Sequence, residues 1–337
     1  RLERSWIIRS DRYRSFAGLK EQMLVGRNIL LDAIISYVNW LPRSYALYLG
    51  SSVGSFLYSI IELTRFRGAV RNNIRTAFPQ QFSDREIARM ARQHGRDLIK
   101  TLVEVMRFRE LPKLLEEGII QVEGLEHLKN ALARGKGVVL LSAHMGNWEL
   151  MLSGLGLLGY PVHSVVVKQT NEAFNDFMVT ERERYGSHVI YLGDSSSPKV
   201  QGILANNGIL LLLADQHNYG GKARNIVNFF GKPVSVPGGP IAYSTKFAAP
   251  LVPGFTIREP GNRHRIIFEP PLELIDTGNF EEDFITNCRR YIQVFESWIT
   301  KYPDQWMWSH ERWAWLDENL QPKFPSIEEV NLAQSRN

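Results

Sequence analysis

After Pro112 the chain alternates between short apolar runs and longer segments with helical periodicity. Strand candidates lie at 137–143, 162–167, 188–192, 209–214, 250–257 and 264–269. Helix candidates lie at 147–158, 171–185, 198–206, 238–248 and 279–301. Strands separated by helices are typical of an α/β fold whose sheet carries helices on both faces. We therefore predict a mixed, mostly parallel sheet flanked by helices.

The part of the chain before this region has a helical pattern. The segments 28–42 and 45–63 are strongly apolar, and Ser83 with Glu86 forms a capping box that begins a further helix. Asp32 interrupts the first apolar segment and small polar residues interrupt the second, so neither is a clean run of about 20 apolar residues. We interpret both as interfacial or tightly packed helices rather than spanning ones. Ordinary core helices of a soluble protein are the alternative.

These patterns divide the chain into four parts, which are a basic segment 1–27, a helical membrane-associating region 28–112, an α/β core 113–320 and a tail 321–337. The net charge is +5, and the first part holds seven basic residues against three acidic ones. Such a segment ahead of apolar helices suits an anionic membrane surface, with nucleic acid as the less favoured partner. The single Cys288 excludes an internal disulfide and is expected to be a packing residue. No secretory signal peptide is expected.

A histidine that directly follows an apolar strand candidate is the first candidate for chemistry. His144 has Glu149 five positions later, in the first turn of a helix that Asn147 would cap. A carboxylate there is favoured by the helix dipole and can reach back to an imidazole. The same spacing recurs at His264 and Glu269 inside a predicted strand, where residues five apart point to opposite faces. The first pair is therefore the predicted site.

A histidine held by a carboxylate is the arrangement of a general base with the group that orients it. Ser142 is the nearest hydroxyl, and no serine or cysteine in the local motif is obviously poised as a nucleophile. The substrate would then supply the nucleophile, because His144 could take a proton from a hydroxyl that attacks an activated acyl carbonyl. Metal binding is the competing use of such residues, and His217 could approach the pair, yet no third ligand lies at a metal-like spacing. No metal and no cofactor are expected.

Two other motifs fail on their context. The stretch GSSVG, Gly50 to Gly54, matches the nucleophile elbow of serine hydrolases, but it lies inside an apolar helical segment instead of between a strand and a helix. The stretch GLGLLG, Gly154 to Gly159, matches the dinucleotide-binding fingerprint, but these glycines close a helix instead of opening one. A serine hydrolase is kept as an alternative function.

Several further motifs occur in a fixed order around His144 and Glu149, which together form a His-(x)4-Asp/Glu dyad. They are VRNNIRTAFP (70–79), DQ (215–216), FFG (229–231), GGPIAYSTKFAAPLVPGFTIRE (238–259), FEPPLE (268–273) and a late Trp-x-His-x-Arg-aromatic motif (308–313). Across roughly residues 30 to 315, the sequence resembles the bacterial lipid A biosynthesis acyltransferase family. That family includes lauroyl and myristoyl transferases and the related phosphatidylinositol mannoside acyltransferases.

The resemblance implies a glycerolipid-acyltransferase-like fold and a membrane-associated O-acyltransferase. A fatty acyl chain would pass from a thioester of acyl carrier protein or coenzyme A, as co-substrate, to a hydroxyl of a glycolipid or phospholipid. A lipid A-type acceptor is favoured, and an apolar tunnel should hold the acyl chain. The implied location is the cytoplasmic face of the bacterial inner membrane, with peripheral or monotopic attachment. A non-catalytic lipid-binding protein on the same fold is the alternative.

The resemblance also implies a role for each matching residue. His144 is the base, and Glu149 fixes its tautomer. Asp215 should open onto the same cleft and accept a hydrogen bond from the acceptor, although it could be only a turn cap. The residues expected to bind substrate are Asp215, Gln216, Lys168, Arg182, Arg184 and Arg312.

The cations among these residues have a second expected role. Lys168, Arg182 or Arg184, or backbone amides near Gly146, would stabilise the oxyanion. The three cations could instead be solvated surface groups. Lys168 also departs from the family, because lipid A enzymes commonly have an arginine in a YRP motif at this place. A lysine keeps the charge but loses the bidentate fork with which arginine binds a phosphate or carboxyl oxygen.

Overall fold

The computed structural model describes residues 29–61, 68–194, 197–217 and 225–313, so the predicted segments 1–27 and 321–337 lie outside it. Its central sheet has the strand order β1-β9-β8-β2-β5-β3-β4. The strands of this sheet are β1 Ile120–Glu123, β2 Val138–Ser142, β3 Val162–Val166, β4 His188–Tyr191, β5 Ile209–Leu213, β8 Leu251–Glu259 and β9 Arg263–Phe268. All neighbours pair in parallel except β8 and β9. The predicted mixed, mostly parallel sheet is confirmed.

Helices cover the sheet and precede it in the chain. The first four are α1 Ile29–Trp40, α2 Arg43–Ile61, α3 Ala69–Ala77 and α4 Asp84–Met106. Those that follow are α5 Leu111–Glu116, α6 Leu125–Leu132, α7 Glu149–Leu157, α8 Glu172–Glu183, α9 Ser197–Ala205, α10 Gly239–Phe247 and α11 Phe280–Lys301. Each helix predicted within the α/β core is present, with ends within about two residues, as is usual for such assignments.

The central strand β2 shows why the sheet is covered on both faces. Its five residues are all buried, and alternate side chains enter two different clusters of apolar residues. Val139 and Leu141 pack into one cluster, and Val138 and Leu140 pack into the other. A strand buried on both faces is a continuous apolar run rather than an alternating one. That is the pattern observed in GVVLL.

A second, two-stranded sheet was not predicted. It joins β6, Ile226–Phe229, to β7, Lys232–Ser235, in an antiparallel hairpin. The connecting residues Phe230 and Gly231 both have positive φ angles, 50° and 71°, as a two-residue type I′ turn requires. The FFG motif is therefore a hairpin turn. Four-residue strands, one of them containing a proline, give little periodicity to detect.

The GSSVG stretch lies inside α2, where it allows a close helix crossing. A Cβ atom added to Gly54 would lie 2.3 Å from the carbonyl oxygen of Gly95 in α4. A Cβ added to Gly95 would in turn lie 2.8 Å from the Cβ of Tyr58. These contacts explain why positions 54 and 95 are glycines, because only a hydrogen atom fits where the two helix backbones meet. The stretch is not a nucleophile elbow, as its sequence context predicts.

Replacing Gly54 by alanine should destabilise the protein by roughly 1–3 kcal/mol, because the added methyl group overpacks this crossing. Gly202→Ala in α9 is the matched control, since a Cβ there meets no atom within 4 Å, and it should be neutral or slightly stabilising. Urea unfolding of the two variants and the wild type measures the difference. Equal unfolding midpoints for the two variants would show that the helices can separate without cost.

Helices α1 and α2 carry many exposed apolar side chains. Trp40 is 77% exposed and Tyr48 is 74% exposed. The full group comprises Ile29, Leu30, Ile34, Tyr37, Trp40, Tyr45, Tyr48, Leu49, Val53, Phe56, Leu57, Ile60 and Ile61, and we call it the apolar face. Single exposed apolar residues are normal on protein surfaces, but here many of them are grouped on two consecutive helices. In the described ranges, no helix has both the length and the apolar character needed to span a bilayer.

Candidate active site

His144 and Asp215 meet because their strands are neighbours in the sheet. Strand β2 ends at Ser142 and strand β5 ends at Leu213, and these two residues are partners in the parallel register. The amide of Ala214 then donates to the carbonyl of Ser142 over 3.0 Å. Each functional residue lies two positions beyond its strand end, so the register brings the two side chains together. Both side chains therefore lie at the carboxyl-terminal edge of the sheet.

The Asp215 carboxylate holds the His144 imidazole on its Nδ1 side. Asp215 Oδ1 lies 2.8 Å from His144 Nδ1, and Oδ2 accepts from the His144 amide at 3.0 Å and from Trp306 Nε1 at 2.7 Å. Burial alone would raise the pKa of Asp215, but the His144 imidazole and the two N–H donors at Oδ2 lower it to about 2. The ionised carboxylate can only accept hydrogen bonds, so Nδ1 of a neutral His144 must carry the proton. Its Nε2 is then the basic nitrogen.

This geometry corrects the roles predicted for Asp215 and Glu149. Asp215 is only 1% exposed, so its oxygens serve His144 and do not reach an acceptor in this conformation. Glu149 makes no hydrogen bond to His144 among the described residues; instead its two oxygens receive Arg182 Nε at 2.7 Å and Arg182 Nη2 at 2.6 Å. Asp215, and not Glu149, is therefore placed to fix the tautomer of His144.

The Glu149 and Arg182 pair lies beside the histidine as a buried ion pair. Burial would raise the pKa of Glu149, but Arg182, with smaller contributions from His144 and Trp148, lowers it. Arg182 is the cation at the end of α8, and the choice between Arg182 and Arg184 is now decided by contact. The Arg184 guanidinium pairs with Glu181 one turn earlier on the same helix. Arg182 thus belongs to the site and Arg184 does not.

The loop between β2 and α7 is held by hydrogen bonds from distant parts of the chain. The amide of Met307 donates to the carbonyl of His144, and the amide of Gly146 donates to the carbonyl of Gln305, each over 3.0 Å. Gly146 has a φ of 56°, and a Cβ there would lie 2.3 Å from the carbonyl oxygen of Thr256. Glycine is therefore required at this position. The predicted Gly146 amide is already engaged by Gln305 and is not free for an oxyanion.

Asn147 connects this loop to a buried polar network. The N-cap of α7 is Trp148 and not Asn147 as predicted, because the helix begins at Glu149. Asn147 Oδ1 nevertheless accepts from the Glu149 amide over 3.2 Å. Its Nδ2 donates over 2.8 Å to the buried Glu104, which also receives two hydrogen bonds from Arg258. Burial would raise the pKa of Glu104, but Arg258 and a neighbouring histidine lower it. The start of α7 is thus anchored to a fixed charge pair.

The second His-(x)4-Glu pair is separated, as the strand periodicity predicts. His264 lies on β9, 2% exposed, with its Nε2 2.9 Å from Glu104 Oε1. Glu269 instead accepts from Trp298 Nε1 over 2.9 Å. Burial lowers the pKa of His264, with Glu104 acting in the opposite direction. His264 is therefore a buried neutral donor to Glu104, and we assign it a structural role.

His264→Ala should lower the free energy of unfolding by roughly 1–3 kcal/mol, because it removes one donor from a buried carboxylate. The rate of catalysis per folded molecule should stay within a few-fold of wild type, since His264 does not contact His144. Urea unfolding and turnover measured well below the melting temperature test the two halves separately. A folded, stable variant without activity would place this histidine in the catalytic machinery.

The remaining residues expected to bind substrate are scattered. Gln216 lies beside the histidine, with its amide nitrogen 3.4 Å from His144 Nδ1. Lys168 is exposed on the loop after β3. Arg312 is only 1% exposed, and its Nη1 donates to the carbonyl of Ser235 over 2.8 Å; burial lowers its pKa to about 10. In this conformation Arg312 cannot reach an acceptor phosphate, so we assign it to the interior.

Two other histidines lie near the site. His217 Nδ1 is 2.7 Å from His310 Nε2, and the two rings are stacked. Burial, His310 and Arg312 lower the pKa of His217 to about 3. His217 thus pairs with His310 rather than with the dyad. In the part of the chain that the structure describes, no three potential ligands are grouped so as to hold a metal ion.

Just before the late Trp-x-His-x-Arg-aromatic motif lies a further residue of the site, which was not predicted. Trp306 is 1% exposed and donates to Asp215. The upstream Asn-containing motif supports the same region, because Asn73 Nδ2 donates to the carbonyls of Trp308 and His310. Core packing accounts for the buried side chains of Trp306 and Trp308. No pattern in the sequence indicates that the Trp306 indole donates to Asp215, because the two residues are 91 positions apart.

Comparisons with known proteins identify the family of this chain. The family described as bacterial lipid A biosynthesis acyltransferase matches residues 20–314. The lipid A biosynthesis palmitoleoyltransferase of Escherichia coli (strain K12) is 24% identical over 274 residues, 81% of this chain and 86% of the relative. The phosphatidylinositol mannoside acyltransferase of Mycobacterium tuberculosis (strain CDC 1551 / Oshkosh) is 30% identical over 151 residues, 44% of this chain and 46% of the relative. The chain therefore belongs to the bacterial lipid A biosynthesis acyltransferase family.

Proposed function

We propose that this acyltransferase moves a fatty acyl chain from an acyl thioester to a hydroxyl of a membrane glycolipid, with His144 as general base. The observation that carries the proposal is the contact of His144 Nδ1 with the buried, ionised Asp215. It leaves Nε2 as the basic nitrogen on a side chain that is 20% exposed. A base prepared in this way suits a reaction in which the substrate brings its own hydroxyl nucleophile.

The proposed reaction moves one proton from the acceptor to the leaving group. His144 Nε2 takes the proton of the acceptor hydroxyl as its oxygen attacks the thioester carbonyl carbon. The resulting tetrahedral intermediate collapses when the carbon–sulfur bond breaks, and the thiolate takes the proton back from the imidazolium. Asp215 stabilises that transient cation because a carboxylate at 2.8 Å interacts strongly with a charge in a buried site.

The oxyanion of this intermediate needs a donor that the folded protein has not already used. Gly146 donates to Gln305, and Arg182 is held by both oxygens of Glu149. The first amides of α7, those of Glu149, Leu150 and Met151, donate to Asn147 and Trp148. We assign the role to the amides of Asn147 and Trp148 just before the helix, since within the described ranges they donate no hydrogen bond. The dipole of the helix favours negative charge at the same place. In this view Glu149 and Arg182 fix the position of that terminus.

Attachment to a membrane is proposed from the apolar face. Its aromatic residues include Tyr37 and Trp40, whose rings stack at 6.2 Å between centroids, and Tyr48. Tryptophan and tyrosine favour the boundary between lipid headgroups and acyl chains. An exposed apolar surface of this kind would let the protein bind the cytoplasmic face of the bacterial inner membrane without a spanning helix. The acceptor would then diffuse to the active site within the bilayer.

The identity of the two substrates is proposed from the relatives. Those matched along most of this chain are named for lipid A biosynthesis, so a lipid A-type acceptor is favoured over another glycolipid or a phospholipid. The donor is an acyl thioester of acyl carrier protein or of coenzyme A.

A small cavity lies beside the Glu104 network. It is lined by Leu47, Phe108 and Leu150 among others and has a volume of about 10 Å³. That is room for about one water molecule, so the acyl chain must lie elsewhere.

Mass spectrometry of membrane lipids from cells with and without the protein tests this proposal. One acyl chain should be missing from one lipid class when the gene is deleted, and it should return with the wild-type protein. A His144→Ala protein at the same level should not restore it. Unchanged lipids, with no thioester consumed by the purified protein, would favour the non-catalytic lipid-binding alternative.

A further inference from the structure

Helix α4 carries a row of arginines that the proposed reaction does not use. Arg85, Arg89, Arg92 and Arg96 are spaced by four, three and four residues. Residues at this spacing lie on one side of a helix. The first three are exposed, and the fourth is partly exposed. We call these four residues the arginine stripe.

The carboxylates near the stripe are engaged by other groups. Asp84 pairs with Arg75 over 2.7 Å, and Glu86 caps the helix through Ser83. Asp97 lies 3.4 Å from both Lys100 and Arg258. Within the described ranges, none of the stripe's guanidinium groups lies within 4.0 Å of a carboxylate oxygen. Among the described residues, the stripe is therefore a row of positive charge that no ion pair neutralises.

The stripe lies on the part of α4 that runs beside the carboxyl-terminal half of α2. Gly54 of α2 packs against Gly95 and the Cα atom of Arg96, whereas Gly50, one turn earlier, packs against Val103, two turns later on α4. The two helices therefore run in opposite directions. The carboxyl-terminal end of α2, with its exposed Phe56, Ile60 and Ile61, extends toward the segment of α4 that carries Arg92, Arg89 and Arg85.

We propose that the arginine stripe and the apolar face form one surface that binds an anionic lipid bilayer. This proposal rests on the membrane attachment proposed above, and it adds which residues would contact the anionic headgroups. Apolar side chains that enter the acyl region would place adjacent guanidinium groups at the level of the phosphates, which they bind through paired N–H groups. An acidic partner protein would also satisfy the charges, but it would leave the adjoining apolar residues exposed to water. A bilayer satisfies both.

The test uses the full chain and vesicles of phosphatidylcholine with and without phosphatidylglycerol. A triple variant, Arg85→Gln, Arg89→Gln and Arg92→Gln, should bind the anionic vesicles about a hundredfold more weakly, since each basic group at such a surface contributes about fivefold. Its binding to neutral vesicles should be unchanged, and its remaining binding should depend less on salt. Each single variant should lose about fivefold, which keeps the test valid if the triple variant folds poorly.

The matched control removes three exposed charges elsewhere, as Lys129→Gln, Arg134→Gln and Lys136→Gln. Lys136 precedes β2 at the amino edge of the sheet, opposite the edge that carries His144. This control should bind both kinds of vesicle like the wild type. Equal binding of anionic vesicles by the stripe variant and the wild type would overturn the proposal.

One further outcome would identify a different partner. If the stripe variant binds vesicles normally but loses transfer from the carrier-protein thioester and keeps transfer from the coenzyme A thioester, then the stripe docks an acidic carrier protein. That result also overturns the proposal. The proposed reaction is tested separately. Consumption of thioester by the wild-type protein in detergent measures the reaction without a bilayer.

Discussion

Replacing His144 by alanine should reduce both acyl transfer and thioester hydrolysis to the uncatalysed background. The variant loses the group that takes the proton from the attacking hydroxyl, whether a lipid or water supplies it. Its fold should survive, because the imidazole is partly exposed and the loop keeps its backbone hydrogen bonds to Met307 and Gln305. Release of free thiol and formation of the lipid ester, measured in one reaction, check the prediction.

His188→Ala is the matched control for this loss. His188 is an exposed histidine at the start of the edge strand β4, far along the sheet order from the base. It should keep wild-type transfer and hydrolysis. If the His144 variant kept its transfer activity, a different group would have to be the base.

Asp215→Asn should lower kcat by roughly 10²–10⁴, because it reverses the tautomer of the base. Two N–H donors, the His144 amide and Trp306 Nε1, hold Oδ2. The asparagine oxygen must take that position, so its NH₂ group takes the position of Oδ1 and donates to His144 Nδ1. The proton of a neutral imidazole then lies on Nε2, which can no longer accept one. Steady-state kinetics should show the loss in kcat with KM nearly unchanged.

Glu149→Gln is the matched comparison for Asp215→Asn, because it removes the charge of the other carboxylate, the one that was predicted to orient His144. Glu149 accepts hydrogen bonds from Arg182 and Trp148, and none from His144 among the described residues. We therefore expect a smaller loss of kcat than in Asp215→Asn, accompanied by lower stability because Arg182 is left as a buried cation without its partner. A larger loss of kcat in Glu149→Gln would return the orienting role to Glu149.

The sequence was sufficient for those features that depend on local periodicity. Strand β2, the turn after it and the beginning of α7 follow from an apolar run, His144 and Asn147. The sequence also placed Asp215 at the same sheet edge, because the carboxyl ends of parallel strands meet there. The register that makes Ser142 the partner of Leu213 could not be derived, since it depends on which strands become neighbours.

The error at Glu149 has a physical origin. Five residues of separation and a position in the first helical turn both suggested a contact with His144. The carboxylate instead turns to Arg182 on α8, which forms two hydrogen bonds with it, and bidentate pairs of this kind are stronger than a single bond to an imidazole. Such a partner, 33 residues away, leaves no local pattern in the sequence.

The most direct test of the account is the ratio of acyl transfer to thioester hydrolysis in Asp215→Asn. Purified wild-type and variant proteins would receive the same acyl thioester and lipid acceptor, with lipid ester measured by mass spectrometry and total thiol release measured in the same tube. Because Asp215 acts through His144, both rates should fall together by roughly 10²–10⁴ and their ratio should stay near the wild-type value. A selective loss of lipid ester, with hydrolysis at the wild-type rate, would contradict the account and make Asp215 an acceptor-binding residue.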